Sequence, residues 1–196
     1  AFANELSLIC DKAGINVWEL IELANKHPRV HILQPGCGVG GHCIAVDPYF
    51  ITSEFPVESQ LIAKSREINN YKAFWCAERI REAVRGFKVR EGRPPRVALM
   101  GLAFKPDIDD LRESPLVELA EMLIGKGYEL RIFDRNVEYA RVHGANKEYI
   151  ESKIPHVSSL LVSDLDEVVA SSDVLVLGNG DELFVDLVNK TPSGKK

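Results

Sequence analysis

The second half of the chain alternates between two kinds of pattern, and that alternation limits the fold more than any other feature. Residues 96–102 read as a buried-type strand ending near Gly101. A loop follows, and Ser114 with Pro115 after it makes a strong helix start, the serine as N-cap and the proline at the first helical position. That helix runs to about Gly125, and Gly127 closes it. Residues 129–133 read as a strand ending in Asp134, residues 159–162 as another, and residues 164–170 as a short helix. Residues 174–177 form a strand ending at Gly178, and a further helix begins near Asp181. Residues 136–156 carry no clear pattern. Strands alternating with helices imply an α/β class with a parallel sheet and right-handed crossovers.

The first half reads as helical. Phe2, Leu6, Ile9 and Ala13 recur at helical spacing, and Gly14 stands where a C′ glycine belongs. Asn16 and Glu19 mark a second helix start, with Val17, Leu20, Ile21 and Ala24 facing inward and a stop before Pro28. Trp18 is expected in the core. A long helix is expected over residues 57–87, with Leu61, Ile68, Trp75, Ile80, Val84 and Phe87 on one stripe. Such a rod is about 45 Å long, and part of its stripe is expected to meet another subunit. Arg66 and Asn69 are expected on its solvated face. Arg93-Pro94-Pro95 stiffens the chain and stops any helix. The expected division is therefore 1–92 and 93–196.

Between the first helices and the long one lies Gln34-Pro35-Gly36-Cys37-Gly38-Val39-Gly40-Gly41-His42-Cys43-Ile44-Ala45-Val46-Asp47-Pro48. Glycines let a backbone come close to a ligand, and Cys43 follows four of them. Gly36, Gly38 and Gly41 form G-x-G-x-x-G, but a dinucleotide fingerprint needs a helix opening from it. Residues 44–50 contain Pro48 and show no helical period, so the expected role is a loop presenting a thiol. Cys43 is either an inert small hydrophobe or a nucleophile, since reactivity demands exposure and a positive setting. Cys37, His42 and Cys43, with His27 and His31 nearby, match no common zinc spacing. In the second half, Asp134 stands where a dinucleotide unit has its ribose-binding acid. Yet the turn before it has one glycine, not three, and is too long.

Net charge is −5, from 24 basic and 29 acidic residues in 196. That argues against a nucleic-acid surface, and an anionic ligand would need a local cationic cluster. Four cysteines without a framework suggest free thiols in a reducing compartment. No apolar run approaches a membrane span, and no signal peptide is visible. The start at Ala1, inside an apolar pattern, and the end in a turn are expected of a piece of a longer protein.

The motif Gly40-Gly41-His42-Cys43-x-x-x-Asp47 resembles the active-site loop of the NAD-dependent nucleotide-sugar 6-dehydrogenases. A second motif, Gly101-Leu102-Ala103-Phe104-Lys105 followed by Arg112-Glu113-Ser114-Pro115, is similar to that family's pattern too. The resemblance implies a helical dimerisation domain carrying the cysteine loop, then a Rossmann-like parallel-sheet domain that binds the nucleotide sugar. It implies oxidation of a sugar C6 alcohol to a carboxylate with two NAD, through an aldehyde, a thiohemiacetal and a thioester. Cys43 would be the nucleophile and Asp47 would orient or activate groups beside it. His27, Arg29, Gly40, Phe104 and Lys105 would contact substrate, Arg29 that of the adjacent subunit, and Arg112 would reach NAD. The implied place is the cytoplasm, the implied assembly a homodimer, and no metal is implied. Residues 1 to about 113 resemble the UDP-N-acetylhexosamine branch, and residues from about 111 resemble GDP-mannose dehydrogenase. A chimera joined near residues 109–115 is the hypothesis this split suggests. The family's N-terminal NAD domain is not in this sequence, so the chain alone is expected to bind NAD poorly and not to turn over. The reading from another class is a dimerising fragment that holds nucleotide sugar without chemistry.

Overall fold

The computed structural model describes residues 1–108, 110–137 and 155–190. The chain opens with α1 (Phe2–Ala13) and α2 (Val17–Asn25). Gly14 ends α1 in the left-handed conformation, at φ 70°. Asn16 caps α2, its side-chain oxygen accepting from the amides of Trp18 and Glu19. Ile21 is fully buried, but Trp18 is 54% exposed and lies outside the core.

A loop leads to α3 (His42–Glu54), which corrects the expectation that no helix follows the glycines. Pro48 sits inside it. Ala45 is its buried residue, while Ile44, Tyr49, Phe50 and Ile51 are exposed. Apolar residues thus surround the helix on several sides and leave no amphipathic period to read. Next come α4 (Gln60–Ala83) and the short α5 (Phe87–Glu91), where one helix over residues 57–87 was expected. Gly86, at φ 76°, breaks the rod between them.

The face that α4 buries also differs from the apolar stripe. Leu61 is exposed, whereas Arg66, Asn69 and Lys72 are buried. The reason is a polar seam with α1. Asn4 Nδ2 donates to Asn69 Oδ1 at 2.9 Å, and Lys72 Nζ donates to Ser7 Oγ at 2.9 Å. Lys72 Nζ also lies 3.8 Å from the centre of the Trp75 ring. Burial pushes the Lys72 amine below its ordinary range.

Three parallel strands follow: β1 (Arg96–Met100), β2 (Glu129–Phe133) and β3 (Val174–Leu177), in the order β2-β1-β3. Val97 pairs with Leu130 on one side and Val174 on the other. α6 (Pro115–Gly125) makes the crossover from β1 to β2, starting at Ser114 as expected. Among the described residues the remaining helices are α7 (Pro155–Ser158), α8 (Leu165–Ser171) and α9 (Glu182–Lys190). The expected strand over residues 159–162 is reduced to one parallel bridge between Leu161 and Ile132. Most of the unpatterned stretch, residues 138–154, lies outside the described residues.

Side chains alternate across the sheet with the strand period of two. Val97, Leu99, Leu130 and Ile132 face α6 and the C-terminal half of α4, packing with Ala77, Ile80, Leu119 and Leu123. Ala98, Met100 and Phe133 pack on the other side with Val168 and Phe184. The first core is continuous from α4 into the sheet.

Two carboxylates, the buried Asp134 and the partly buried Asp173, fasten the strand ends. Asp134 accepts from four backbone amides: Leu102 at 2.8 Å, Ala103 at 3.0 Å, and Asn136 and Val137 at 3.1 Å. Asp173 accepts from Arg93 at 2.7 and 3.0 Å, and from the Arg96 amide at 2.9 Å and its guanidinium at 3.0 Å. The Arg93 bonds, then those of Arg96, hold the Asp173 carboxyl well below the usual carboxylate range.

Replacing Asp134 with Ala strands four amide donors, three of them on buried residues, and should cost about 3 kcal/mol, read as a lower urea midpoint at unchanged slope. Asp173 has a depressed native pKa, so its contribution is complete above the ordinary carboxylate pKa of about 3.9 and disappears as pH falls below it. Urea titrations of the native chain and Asp173→Asn should therefore converge as pH drops from 6 toward about 2.

Candidate functional site

The glycine loop reaches the C-terminal end of the sheet by contacts that leave no room for side chains. A Cβ on Gly40 would stand 2.7 Å from the Glu113 carbonyl and 3.0 Å from Phe104 Cβ. A Cβ on Gly41 would stand 2.9 Å from the Phe104 ring, and one on Gly38 would stand 2.8 Å from the Asn69 carbonyl. The Gly41 amide donates to the Arg112 carbonyl at 3.3 Å. Glu113 takes φ 53°, a left-handed conformation that costs a side-chain-bearing residue roughly 1–2 kcal/mol. The N-cap Ser114 follows directly, its hydroxyl donating to the Leu102 carbonyl at 2.7 Å. The two sequence motifs are therefore one surface, with Gly40, Phe104 and the backbone at Arg112 brought together.

The loop is also fixed from the helical side. The Gly36 amide donates to Asn4 Oδ1 at 2.8 Å, and the same Asn4 holds Asn69. Cys37 Sγ lies 3.8 Å from the Pro115 carbonyl. A hydrogen bond with Cys76, then burial, pushes the Cys37 thiol up. Cys37 is thus ill suited to act as a thiolate.

Cys43 differs. It is exposed and stands in the first turn of α3, with Sγ 3.8 Å from His42 Nδ1. The N-terminal end of a helix carries partial positive charge, which favours negative charge developing beside it. Asp47 is also exposed and lies four residues on, one turn along the same face. All four cysteines are free. Among the described residues, no group of three or more His, Cys, Asp or Glu could hold a metal ion.

Lys105 is exposed, its Nζ 5.8 Å from the centre of the Phe104 ring. Arg112 is clamped by Asp110, with Nε to Oδ1 at 2.8 Å and Nη2 to Oδ2 at 2.7 Å. His27 and Arg29 stand apart on the loop after α2, both exposed. Among the described residues neither bonds to the glycine loop. The Arg29 amide donates to His27 Nδ1 at 3.3 Å. That loop is closed by Asn25, which donates to the Ile32 carbonyl at 2.9 Å and accepts from the Ile32 amide at 2.7 Å. Sequence reasoning missed Asn4 and Asn25 and put Asn69 on a solvated face. Their neighbours, Ala3 and Glu5, Ala24 and Lys26, Ile68 and Asn70, give no signal of these roles.

The residues present do not fit a dinucleotide at the strand ends. Asp134, which stands where a dinucleotide unit has its ribose-binding acid, accepts from four amides. Those amides include Leu102 and Ala103, the ones that would face a pyrophosphate. The crevice between β1 and β3 is filled by Asn179, which donates to the Ala103 carbonyl at 3.1 Å and stands 2.7 Å from where a Cβ on Gly101 would be.

Comparison with known proteins matches both halves of the chain to one family. Residues 1–71 match the central domain of the UDP-glucose/GDP-mannose dehydrogenase family, and residues 98–193 match that family's UDP binding domain. The chain is 56% identical to a GDP-mannose 6-dehydrogenase of Pseudomonas aeruginosa, over 100% of this chain and 44% of that protein. It is 46% identical to a UDP-N-acetyl-D-mannosamine dehydrogenase of Escherichia coli K12, over 90% of this chain and 40% of that one. It therefore spans less than half the length of these relatives. A crystal structure of a ternary complex of the P. aeruginosa GDP-mannose dehydrogenase superposes with a TM-score of 0.70 at 55% identity, covering 100% of this chain and 44% of that one. A UDP-N-acetyl-mannosamine dehydrogenase from S. aureus gives 0.69 at 35% identity, covering 91% and 37%. With its sheet order, its glycine loop and both matched regions in place, the chain belongs to the UDP-glucose/GDP-mannose dehydrogenase family.

Proposed function

We propose that this chain is the thiol-bearing and nucleotide-sugar-binding part of an NAD-dependent 6-dehydrogenase. The enzyme oxidises the C6 alcohol of a UDP-N-acetylhexosamine or of GDP-mannose to the uronic acid. The observation that carries this reading is the exposed Cys43 in the first turn of α3, delivered by a loop pressed onto Phe104 and Glu113. In this division residues 1–92 supply the catalytic loop and the subunit contact, and residues 93–196 supply the nucleotide seat.

The Cys43 sulfur adds to the carbonyl carbon of the C6 aldehyde. A sulfur–carbon bond forms, and the carbonyl electron pair moves to oxygen, which takes up a proton. A thiolate suits this because it attacks strongly and also leaves readily. At the thioester stage water adds to the same carbon, the carbon–sulfur bond breaks, and the thiol is restored. Asp47, one turn from the sulfur, orients the hydroxyl or the water. Gly40 admits the sugar close to the backbone. Phe104 and Lys105 hold the nucleotide sugar, Lys105 facing its phosphates. His27 contacts substrate and Arg29 serves the site of the neighbouring subunit, a reading supported by their exposure.

When bound, a nicotinamide supplies the acceptance of two hydrides. Arg112 is the residue of this chain proposed to reach it. The strand-end crevice offers no seat for that dinucleotide, so no step here is assigned to it. The same observation favours a second reading for the chain alone: a dimerising fragment that binds nucleotide sugar without turnover. The exposed apolar side chains of the helical half, among them Phe2, Ile9, Phe50, Phe55 and Leu61, support a homodimer. Among the described residues no helix is long and apolar enough to cross a membrane, and the proposed setting is cytoplasmic. The two branches named by the relatives leave the proposed junction near residues 109–115 as the point where nucleotide preference changes.

In the whole protein, Cys43→Ser should abolish uronate formation while nucleotide-sugar binding by calorimetry persists, and Cys37→Ser should keep activity. Loss of activity in Cys37→Ser with retention in Cys43→Ser would refute the assignment. The 196-residue chain alone, given substrate and NAD, should produce no NADH absorbance.

A further inference from the structure

We propose that Arg66 is a specificity-determining residue that reads an uncharged carbonyl oxygen, the acetamido group of an N-acetylhexosamine, in a cleft between α4 and the start of α6; this rests on the nucleotide-sugar reading above. Arg66 is 8% exposed, yet its Nε and Nη1 are buried without any hydrogen-bond partner. A buried guanidinium with idle donors is an expense that native folds rarely carry, because each missing bond forfeits the full desolvation of the donor. The remaining nitrogen is engaged: Nη2 donates to Asn70 Oδ1 at 2.7 Å. The residue lines a cleft of about 350 Å³ together with Val39 of the glycine loop, Asn70, Glu113, Glu118 and Glu121. That is the size of the smaller ligand pockets.

The charges around the cleft select the acceptor. Three carboxylates line it, and Glu118 is held above its ordinary range by burial, then by Glu121 and Glu113. A phosphate or carboxylate entering there would meet three like charges at short range, which oppose it. A neutral carbonyl oxygen satisfies the guanidinium without that opposition. The carboxylates then accept from sugar hydroxyls. A hexose without the acetamido group offers the hydroxyls but not the carbonyl. A site built to donate to a missing group discriminates strongly, because its donors stay unpaired.

Arg66 is also tied to the helix that carries the thiol. Asn70 Nδ2 donates to the Tyr49 hydroxyl at 2.9 Å, and the Arg66 guanidinium lies 5.9 Å from the centre of the Tyr49 ring. Tyr49 belongs to α3, as do Cys43 and Asp47. Asn70 and Tyr49 are both exposed, and in this proposal they turn aside when the ligand reaches the guanidinium.

The test uses the ¹⁵N-labelled chain and the Arg66 Nε–H signal, assigned by its absence in Arg66→Lys. Titration with free N-acetyl-D-mannosamine should move that signal saturably, and D-mannose should not. Arg66→Met, checked for an unchanged circular dichroism spectrum, should weaken N-acetylmannosamine binding about tenfold, the equivalent of one or two lost hydrogen bonds. A signal that stays still at saturating N-acetylmannosamine overturns the proposal. So does one that moves equally with D-mannose, or that moves with inorganic phosphate instead. If no nucleotide sugar binds the chain while N-acetylmannosamine still moves the signal, the nucleotide-sugar reading falls and the carbonyl site stands.

Discussion

The structure hangs on a backbone-to-backbone approach. Gly40 lies against the Glu113 carbonyl, and Gly38 against the Asn69 carbonyl, at separations no Cβ tolerates. This approach joins a loop of the helical half to the loop at the C-terminal end of β1. Everything proposed for the chemistry follows from it. Cys43 is three residues beyond Gly40, Phe104 is one side of the contact, and the strained Glu113 is the other. Glycine here is a condition of assembly, because the space it leaves is already occupied by another chain segment.

Parallel sheets place their ligand sites at the carboxyl ends of the strands, where the chain crosses in opposite directions. This sheet has that geometry, since β1 is flanked by β2 and β3. The crevice itself is sealed by Asn179 and by the amides that Asp134 collects. The proposed working surface lies one step outward, on the loop holding Phe104 and Arg112 and the helix that carries Cys43. A fold that usually cradles dinucleotides here serves as a backing for a loop from elsewhere in the chain.

What could be read in the sequence was local. Gly14, Asn16, Ser114 and Pro115 each act within a few residues, and each does in the structure what its neighbours imply. The strands of the sheet were legible for the same reason: short apolar runs bounded by glycine or aspartate. The failures were of two kinds. The α3 helix was hidden because a helix apolar on several sides, with a proline inside it, shows no period. The buried face of α4 was hidden because Asn69 and Lys72 find their partners, Asn4 and Ser7, 65 residues away. The cysteine motif and the Phe104 motif were each visible. Their meeting was not, since it depends on contacts between Gly40 and Glu113 that no spacing encodes.

The seam between α1 and α4 has a mechanical side. An apolar interface can slide by a fraction of a turn and keep most of its energy, because dispersion has no direction. Here the fit is made of paired amides and a lysine on a hydroxyl, and a slip of one turn would break every pair at once. The helix is keyed to its partner, not merely laid on it. Asn4 carries that key on to the Gly36 amide. Strain applied to α1 therefore reaches the thiol loop through a rigid train of polar contacts, with little slack along the way.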